Sequence, residues 1–410
     1  MMDSAGPTGG VAHRGVLVIL DGLGDLPVPE LGGRTPLEAA ATPRLDALAA
    51  AGRYGLVDPI AADVIPNTHT GVGMLLGLRP EQAPRLSRGP VEAAGAGYVL
   101  QPGEIAFRAN LAMLERREGR FYVVDRRAGR ITGDAADLAA ELQDIDLGDG
   151  VSARFVSTDQ HRGALVFSGA SLDAAVSDTD PGDRRAPGWL QPCTALAAGS
   201  ERTAGKVNDF IAATYARLRA HPVNVRRAAQ GKLPATAVIT RGAGAWAAFD
   251  PLLLERGCKA AVVAGCNTVL GLARMFGMDT VTRRGFTASV DTDVEGKLAA
   301  ARAALDEHEL VYVHIKAPDL FSHDFQPEGK KAFIERVDRA LGALEGSGAL
   351  LALAADHSTS SSTGAHTADP VPVLIHDPRR ERTGDPVAFG ESACRAGNLP
   401  RQTGHEFLLR

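Results

Sequence analysis

Three short apolar runs in this chain end on the same kind of side chain. GVLVIL (15–20) is followed at once by Asp21. LVYVHI (310–315) is followed by Asp319 and His323, in a D-x-x-x-H spacing. ALLALAA (349–355) runs into the adjacent pair Asp356-His357, with His366 in the loop beyond. Runs this short and this apolar read as buried strands, and helical patterns lie between them. Alternating strands and helices build an α/β layer structure around a mostly parallel sheet flanked by helices. Open sheets of that kind gather ligands at the carboxyl edge of their strands. All three polar loops are therefore expected to face one crevice.

The flanking sequence keeps the same rhythm. TPRLDALAAAG (42–52) predicts a helix with Thr42 at its N-cap, Pro43 at the first helical position and Gly52 as the stop. YGLVDPI, KAAVVAG (259–265) and VPVLIH (371–376) read as strands, and TVLGLARMFG and DVEGKLAAARAALDEHE as helices. PEGKKAFIERVDRALGALEG predicts an amphipathic helix with Phe333, Ile334, Val337, Leu341 and Leu344 on its apolar face. The middle, 83–235, is different. It is richer in Arg, Gly and Asp and carries short runs such as EIAFRANLAML, RFYVV, ARFVS and ALVFS. It reads as a smaller α+β domain inserted into an α/β domain made of 1–82 and 236–410. A chain of 410 residues exceeds what one core usually serves, which also favours two domains.

Composition narrows the function classes. Hydrophobic residues make up 45% and charged residues 23%, and the net charge of -5 is spread over interspersed acids and bases. That balance speaks against a nucleic-acid or membrane-surface partner. No apolar run reaches membrane-spanning length, and no signal-peptide pattern is visible. The four cysteines, Cys193, Cys258, Cys266 and Cys394, have no CxxC spacing. They read as buried free thiols in a cytoplasmic protein.

Three aspartates and three histidines in one crevice are the ligand set of divalent cations. Imidazole and carboxylate suit Zn²⁺ or Mn²⁺, and two such ions use about this many ligands. Taken singly, Asp21 also reads as a turn residue and His323 or His366 as a structural histidine. The joint pattern is what points to metal. It also gives meaning to IPNTHTGVGMLLG (65–77), where Thr68 lies between Asn67 and His69. Alone, Thr68 is a turn hydroxyl. Beside a pair of ions it is a candidate nucleophile for phosphoryl transfer.

The chain resembles the cofactor-independent phosphoglycerate mutases, archaeal-type branch, of the alkaline phosphatase superfamily. The segments that carry the likeness are LDGLGDLPVPELGGRTPLEAAATPRLDALAAAGRYGLVDPI, SRGPVEAAGAG, GEIAFRANLA, VVDRRAGRI, HRGALVFSG, SDTDPG, TRGAG, HIKAPDLFSHD and ADHST, in family order across nearly the whole chain. The resemblance implies an alkaline-phosphatase-like fold whose inserted domain binds substrate. It implies two divalent ions, Mn or Zn. One would be held by Asp319, His323 and His366, and the other by Asp21, Asp356, His357 and Thr68. It implies a small phosphorylated carboxylate as substrate, with Asn67, Arg126, Arg127, Arg162 and Arg241 in substrate-binding segments, and Arg88, Arg108 and Arg130 as weaker candidates. Guanidinium groups suit carboxylate and phosphate.

The sequence departs from the family pattern at the nucleophile. Gly-Ser-Asp-Thr-Ala-His is usual there, and this chain has Asn67-Thr68-His69-Thr70-Gly71-Val72. His69, in place of the acid, becomes a catalytic candidate. The family's Lys-Gly pair aligns with Leu270-Gly271, so a cation near the transferred phosphate is missing. Interconversion of 2- and 3-phosphoglycerate is the leading expectation. A metal-dependent phosphatase or phosphotransferase on another small anionic phosphate or phosphonate is the second, and a non-catalytic homologue that binds a phosphometabolite is the third.

Overall fold

The computed structural model describes residues 14–158, 160–182, 186–255, 257–380 and 384–410. Contacts divide the chain into two compact units. The first runs up to Pro80 and includes Asp250–Cys266 and Gly277–Arg410. The second comprises Glu81–Phe249 and Asn267–Phe276. No described helix is long and apolar enough to cross a membrane.

The first unit is built on an eight-stranded sheet. Its strands lie in the order Asp279–Val281, Ala260–Val263, Leu310–Ile315, Gly15–Leu20, Leu350–Ala354, Val371–His376, Arg53–Asp58 and Gln402–Thr403. Every neighbouring pair is parallel except the two made by Val371–His376, which runs against both its neighbours. The mostly parallel α/β layer is thus present, with one reversed strand. The three strands whose ends carry the acids are the adjacent central ones. Gly15 pairs with both Leu310 and Leu350, so their carboxyl ends finish side by side. Every residue of Gly15–Leu20 is buried, which explains its uninterrupted apolar text.

Two helices show where tertiary contacts override local signals. The helix Pro43–Ala51 begins after Thr42, but the Thr42 side chain makes no cap. Asp338 of the helix Pro327–Ala340 caps it instead, accepting from Leu45 N at 2.8 Å and Arg44 N at 3.3 Å. The helix Pro327–Ala340 buries Phe333, Ile334 and Val337 as its periodicity predicts. It also buries Lys330 completely. Lys330 Nζ donates to Asp25 Oδ2 at 2.8 Å, Thr359 O at 3.2 Å and Gly24 O at 3.3 Å. A buried ammonium is tolerated because each proton has an acceptor.

The second unit is an antiparallel seven-stranded sheet centred on Ile105–Arg117, which pairs with Arg162–Ser168 on one side and Ala237–Ala245 along the other. Phe107, Phe155, Phe167 and Phe210 fill its core. A boundary at 235/236 separates Ala237–Ala245 and the helix Asn267–Met275 from this unit. Contacts put both inside it. The strand extends the ladder, and the helix packs against Arg88–Gly95 so closely that a Cβ on Gly271 would lie 2.1 Å from Val91 O. Leu270 is buried on that same helix.

Glu391 supports the segment after the first strand. Its carboxylate accepts from Asp25 N at 3.2 Å and from Thr35 Oγ1 at 2.6 Å. Burial pushes its carboxyl up to about 7. Because the folded state holds this proton above the ordinary range, its contribution is full below about pH 4.5 and is lost as pH rises through about 7. In melting curves recorded from pH 5 to 8, Glu391→Gln should gain on the parent as pH rises to about 7 and level off above it. A constant difference would rule out this linkage.

Candidate metal centre

Each polar residue reaches the sheet's carboxyl edge by a short path. Asp21 follows the first strand directly. Asp319 and His323 lie on the helix Ala317–His323, just past Leu310–Ile315. Asp356 and His357 follow Leu350–Ala354, and His366 lies on the hairpin strand Ala365–Thr367. Gly22, at φ +65, lets the first loop pass close to Asp319, whose Cα would be 2.9 Å from a Cβ there. The side chains converge as two ligand groups, Asp319–His357–His366 and Asp21–Asp356–His357. Within each group the ligand atoms lie within 4.8 Å of one another. His357 belongs to both. His323 Nε2 stands beside the first group, 3.3 Å from Asp319 Oδ1.

The tautomers of the three imidazoles are held from outside. His323 Nδ1 bonds to Gly364 O at 2.7 Å, and His366 Nδ1 to Pro66 O at 2.9 Å. His357 Nδ1 bonds to Thr359 Oγ1 at 3.0 Å, and that hydroxyl donates on to Asp319 Oδ1 at 2.8 Å. A carbonyl can only accept, so the proton of His323 and of His366 is on Nδ1. Thr359 spends its own proton on Asp319, so His357 must donate as well. In all three rings Nε2 is left facing carboxylate oxygens at 3.2–3.4 Å. Each of these close approaches needs positive charge between ring nitrogen and carboxylate, supplied by a proton on the ring or by a metal ion in its place. Asp356 Oδ2 and His357 Nε2 are buried with no hydrogen-bond partner. These donors fit divalent metal ions, and this outer hydrogen bonding is what metal-ligating histidines require.

The charges agree. Burial raises the Asp356 carboxyl, and neighbouring Asp21 raises it further. Burial opposes charge on His357 too, but Asp356 and Asp21 outweigh it and hold the ring up to about 9. Asp21 is also buried, yet Lys316, the bond to His314 and the nearby His357 ring keep it well below the ordinary carboxylate range. This centre is short of positive charge.

Sequence reasoning passed over three residues here. Lys316 Nζ lies 3.0 Å from both oxygens of Asp21, 2.7 Å from Asp319 Oδ2 and 3.5 Å from Thr68 Oγ1. His314 Nε2 holds Asp21 Oδ2 at 3.0 Å. Thr359 is the hinge between His357 and Asp319. The signal for Lys316 and His314 was in HIKAPD, where alternation from a buried strand aims them at its polar end. Thr359 had no local signal beyond its place in ADHST.

Thr68 opens the helix Thr68–Leu75, where unsatisfied N–H groups favour negative charge. Asn67 precedes it at the N-cap, its N–H donating to Thr70 Oγ1 at 3.2 Å, and His69 follows on the first turn. Three ties draw this segment to the centre: Pro66 O to His366, Thr68 Oγ1 to Lys316, and Gly71 to the Asp356 carbonyl. A Cβ on Gly71 would lie 2.1 Å from that oxygen.

The arginines gather on the second unit. Arg108 pairs across the sheet with Arg241, and Asn110 with Arg162, so alternation puts all four on one face. Arg126 binds Asp180 through Nε at 2.8 Å and Nη2 at 2.6 Å, and Arg241 Nε lies 3.8 Å from the same carboxylate. Arg126, Arg127 and Arg130 line an open cleft of about 400 Å³. Burial, then Arg162, Arg127, Arg108 and Arg126, depress His161 to about 4. The shielded Nε atoms of Arg88, Arg108 and Arg241 have no hydrogen-bond acceptor. Positive charge is in excess on this face, which suits a small anion.

Residues 13–407 match the family model described as the metalloenzyme superfamily. A 2,3-bisphosphoglycerate-independent phosphoglycerate mutase of Methanopyrus kandleri is 42% identical, covering 97% of this chain and 95% of that protein. One of Ignicoccus hospitalis is 41% identical over 94% and 93%. The chain belongs to the cofactor-independent phosphoglycerate mutase family. A solved cofactor-independent phosphoglycerate mutase from Thermoplasma acidophilum superposes with a TM-score of 0.71 at 32% identity, over 97% of this chain and 98% of that one. A Pyrococcus horikoshii protein reaches 0.81 at 30%, over 98% and 96%. With its two ligand groups, this member of the mutase family is an enzyme of metal-dependent phosphoryl transfer.

Thr359→Val keeps the shape of the side chain and removes the hydroxyl that orients His357 and Asp319. It should weaken Mn²⁺ or Zn²⁺ binding about 10- to 100-fold in calorimetric titration, with the circular dichroism spectrum unchanged. Parent-like affinity would show that the hydroxyl orients nothing.

Proposed function

We propose that this chain interconverts 2- and 3-phosphoglycerate without 2,3-bisphosphoglycerate, by way of a phosphoryl group carried on Thr68. The observation that carries this reading is the convergence of three Nε2-presenting histidines and three aspartates beside the Thr68 helix, in a chain so similar to named mutases. The donor set suits Mn²⁺ or Zn²⁺. Asp319, His323 and His366 would hold one ion, and Asp21, Asp356 and His357, with Thr68, the other. Such ions, when bound, offset the charge that accumulates in phosphoryl transfer.

The chain's own groups do the rest. Thr68 Oγ forms its bond to phosphorus as the ester P–O bond breaks, and its proton ends on the departing glycerate oxygen. We assign His69 to carrying that proton. The glycerate then turns, and its other hydroxyl takes the phosphoryl group back. Arg126, Arg127, Arg162 and Arg241 are assigned to the substrate's carboxylate and phosphate, with Asn67 beside the nucleophile. The excess positive charge around His161 and Arg108 supports that role.

The test combines two readouts on protein loaded with Mn²⁺, Zn²⁺ or Co²⁺. Incubation with 3-phosphoglycerate should yield 2-phosphoglycerate. Intact-protein mass spectrometry after brief exposure should show one phosphoryl adduct, lost in Thr68→Ala. Release of free phosphate in place of 2-phosphoglycerate would identify a phosphatase, and silence with all three metals would refute the mutase reading.

A further inference from the structure

We propose that Lys316 is a catalytic residue whose ammonium grips the phosphoryl group carried on Thr68. The proposal rests on the phospho-Thr68 reading above and names the cation that stabilises this group. Lys316 follows the strand Leu310–Ile315 and precedes Asp319 by one helical turn. Its Nζ touches one aspartate from each ligand group, Asp21 and Asp319, and stands 3.5 Å from the Thr68 hydroxyl. No other Lys or Arg makes a hydrogen bond to Thr68 Oγ1 or an ion pair with Asp21 or Asp319 among the described residues.

Geometry defines what Nζ does. An ammonium donates and does not accept, so Lys316 is not the base that takes the Thr68 proton. It meets the oxygen that becomes the bridging atom of the phosphothreonine. When the bond from Oγ to phosphorus forms and the ester bond breaks, the non-bridging oxygens stay charged within reach of the same Nζ. Lysine serves this purpose as a compact point charge with three donors. Leu270, where a cation was expected, contributes none. Asp21 and Asp319 fix the ammonium in place, so little reorganisation accompanies transfer.

Full-length protein is compared as parent, Lys316→Met, Lys316→Arg and Thr68→Ala, each loaded with Mn²⁺. Metal content by plasma mass spectrometry, the rate of Thr68 phosphorylation from 3-phosphoglycerate, and affinity for inorganic phosphate are measured. Lys316→Met should keep the parent's metal content, slow phosphorylation by about 10²- to 10³-fold and weaken phosphate binding, with Lys316→Arg recovering part of both. Parent-like phosphorylation and phosphate affinity in Lys316→Met would overturn the proposal. Loss of metal from that variant would also overturn it, making Lys316 a residue that only organises ligands. If the parent itself ignores 3-phosphoglycerate, the substrate reading fails. The phosphate-affinity arm then decides the role of Lys316.

Discussion

Repulsion among three buried carboxylates is the constraint around which this molecule is arranged. Asp21, Asp319 and Asp356 lie at the ends of neighbouring strands, with almost no access to water. In a medium of low dielectric, like charges at such separations cannot all persist without compensation. The chain supplies part of it through Lys316, His314 and Thr359, and leaves the remainder to cations. The sheet sets the problem, since parallel, in-register central strands deliver their carboxyl ends to one place. The loops and helices beyond it are the answer. The buried Lys330–Asp25 pair and the Glu391 carboxyl hold the backbone that carries these side chains.

The two units divide the electrostatic work by sign. The first collects acids that call for divalent cations. The second spreads arginines over one face of an antiparallel sheet, where Asp180 and Glu92 neutralise only part of the charge. Strand alternation serves both. Along Ile105–Arg117 it turns Arg108 and Asn110 to one side and phenylalanine to the other, so a single strand builds core and arginine-bearing face together.

Much of this was legible in the sequence because buried strands have an unmistakable text. LVYVHI and VPVLIH mark their strands to the residue, and the acids that follow mark the crevice. What was hidden came from contacts distant in sequence. No local pattern says that Asp338 caps a helix almost three hundred residues earlier in the chain. None tells that Val371–His376 runs backwards, since a buried strand reads alike in either direction. Lys316 was overlooked for a related reason. A lysine beside a helix start looks like a solvated side chain, and only the positions of Asp21 and Thr68 reveal its partners. The strand Ala237–Ala245 has the apolar start of a sheet strand but gives no clue to which sheet it joins.

Gly71 shows how Thr68 is located. Its Cα faces the carbonyl of Asp356 with no side chain between. A contact between two main chains has no rotamers, so the reach of Thr68 is measured from the sheet itself. The stiffness of a parallel sheet passes directly to one oxygen atom. Side chains around the centre can exchange partners as ligands come and go, while the datum from which the hydroxyl is placed stays where the strand ends.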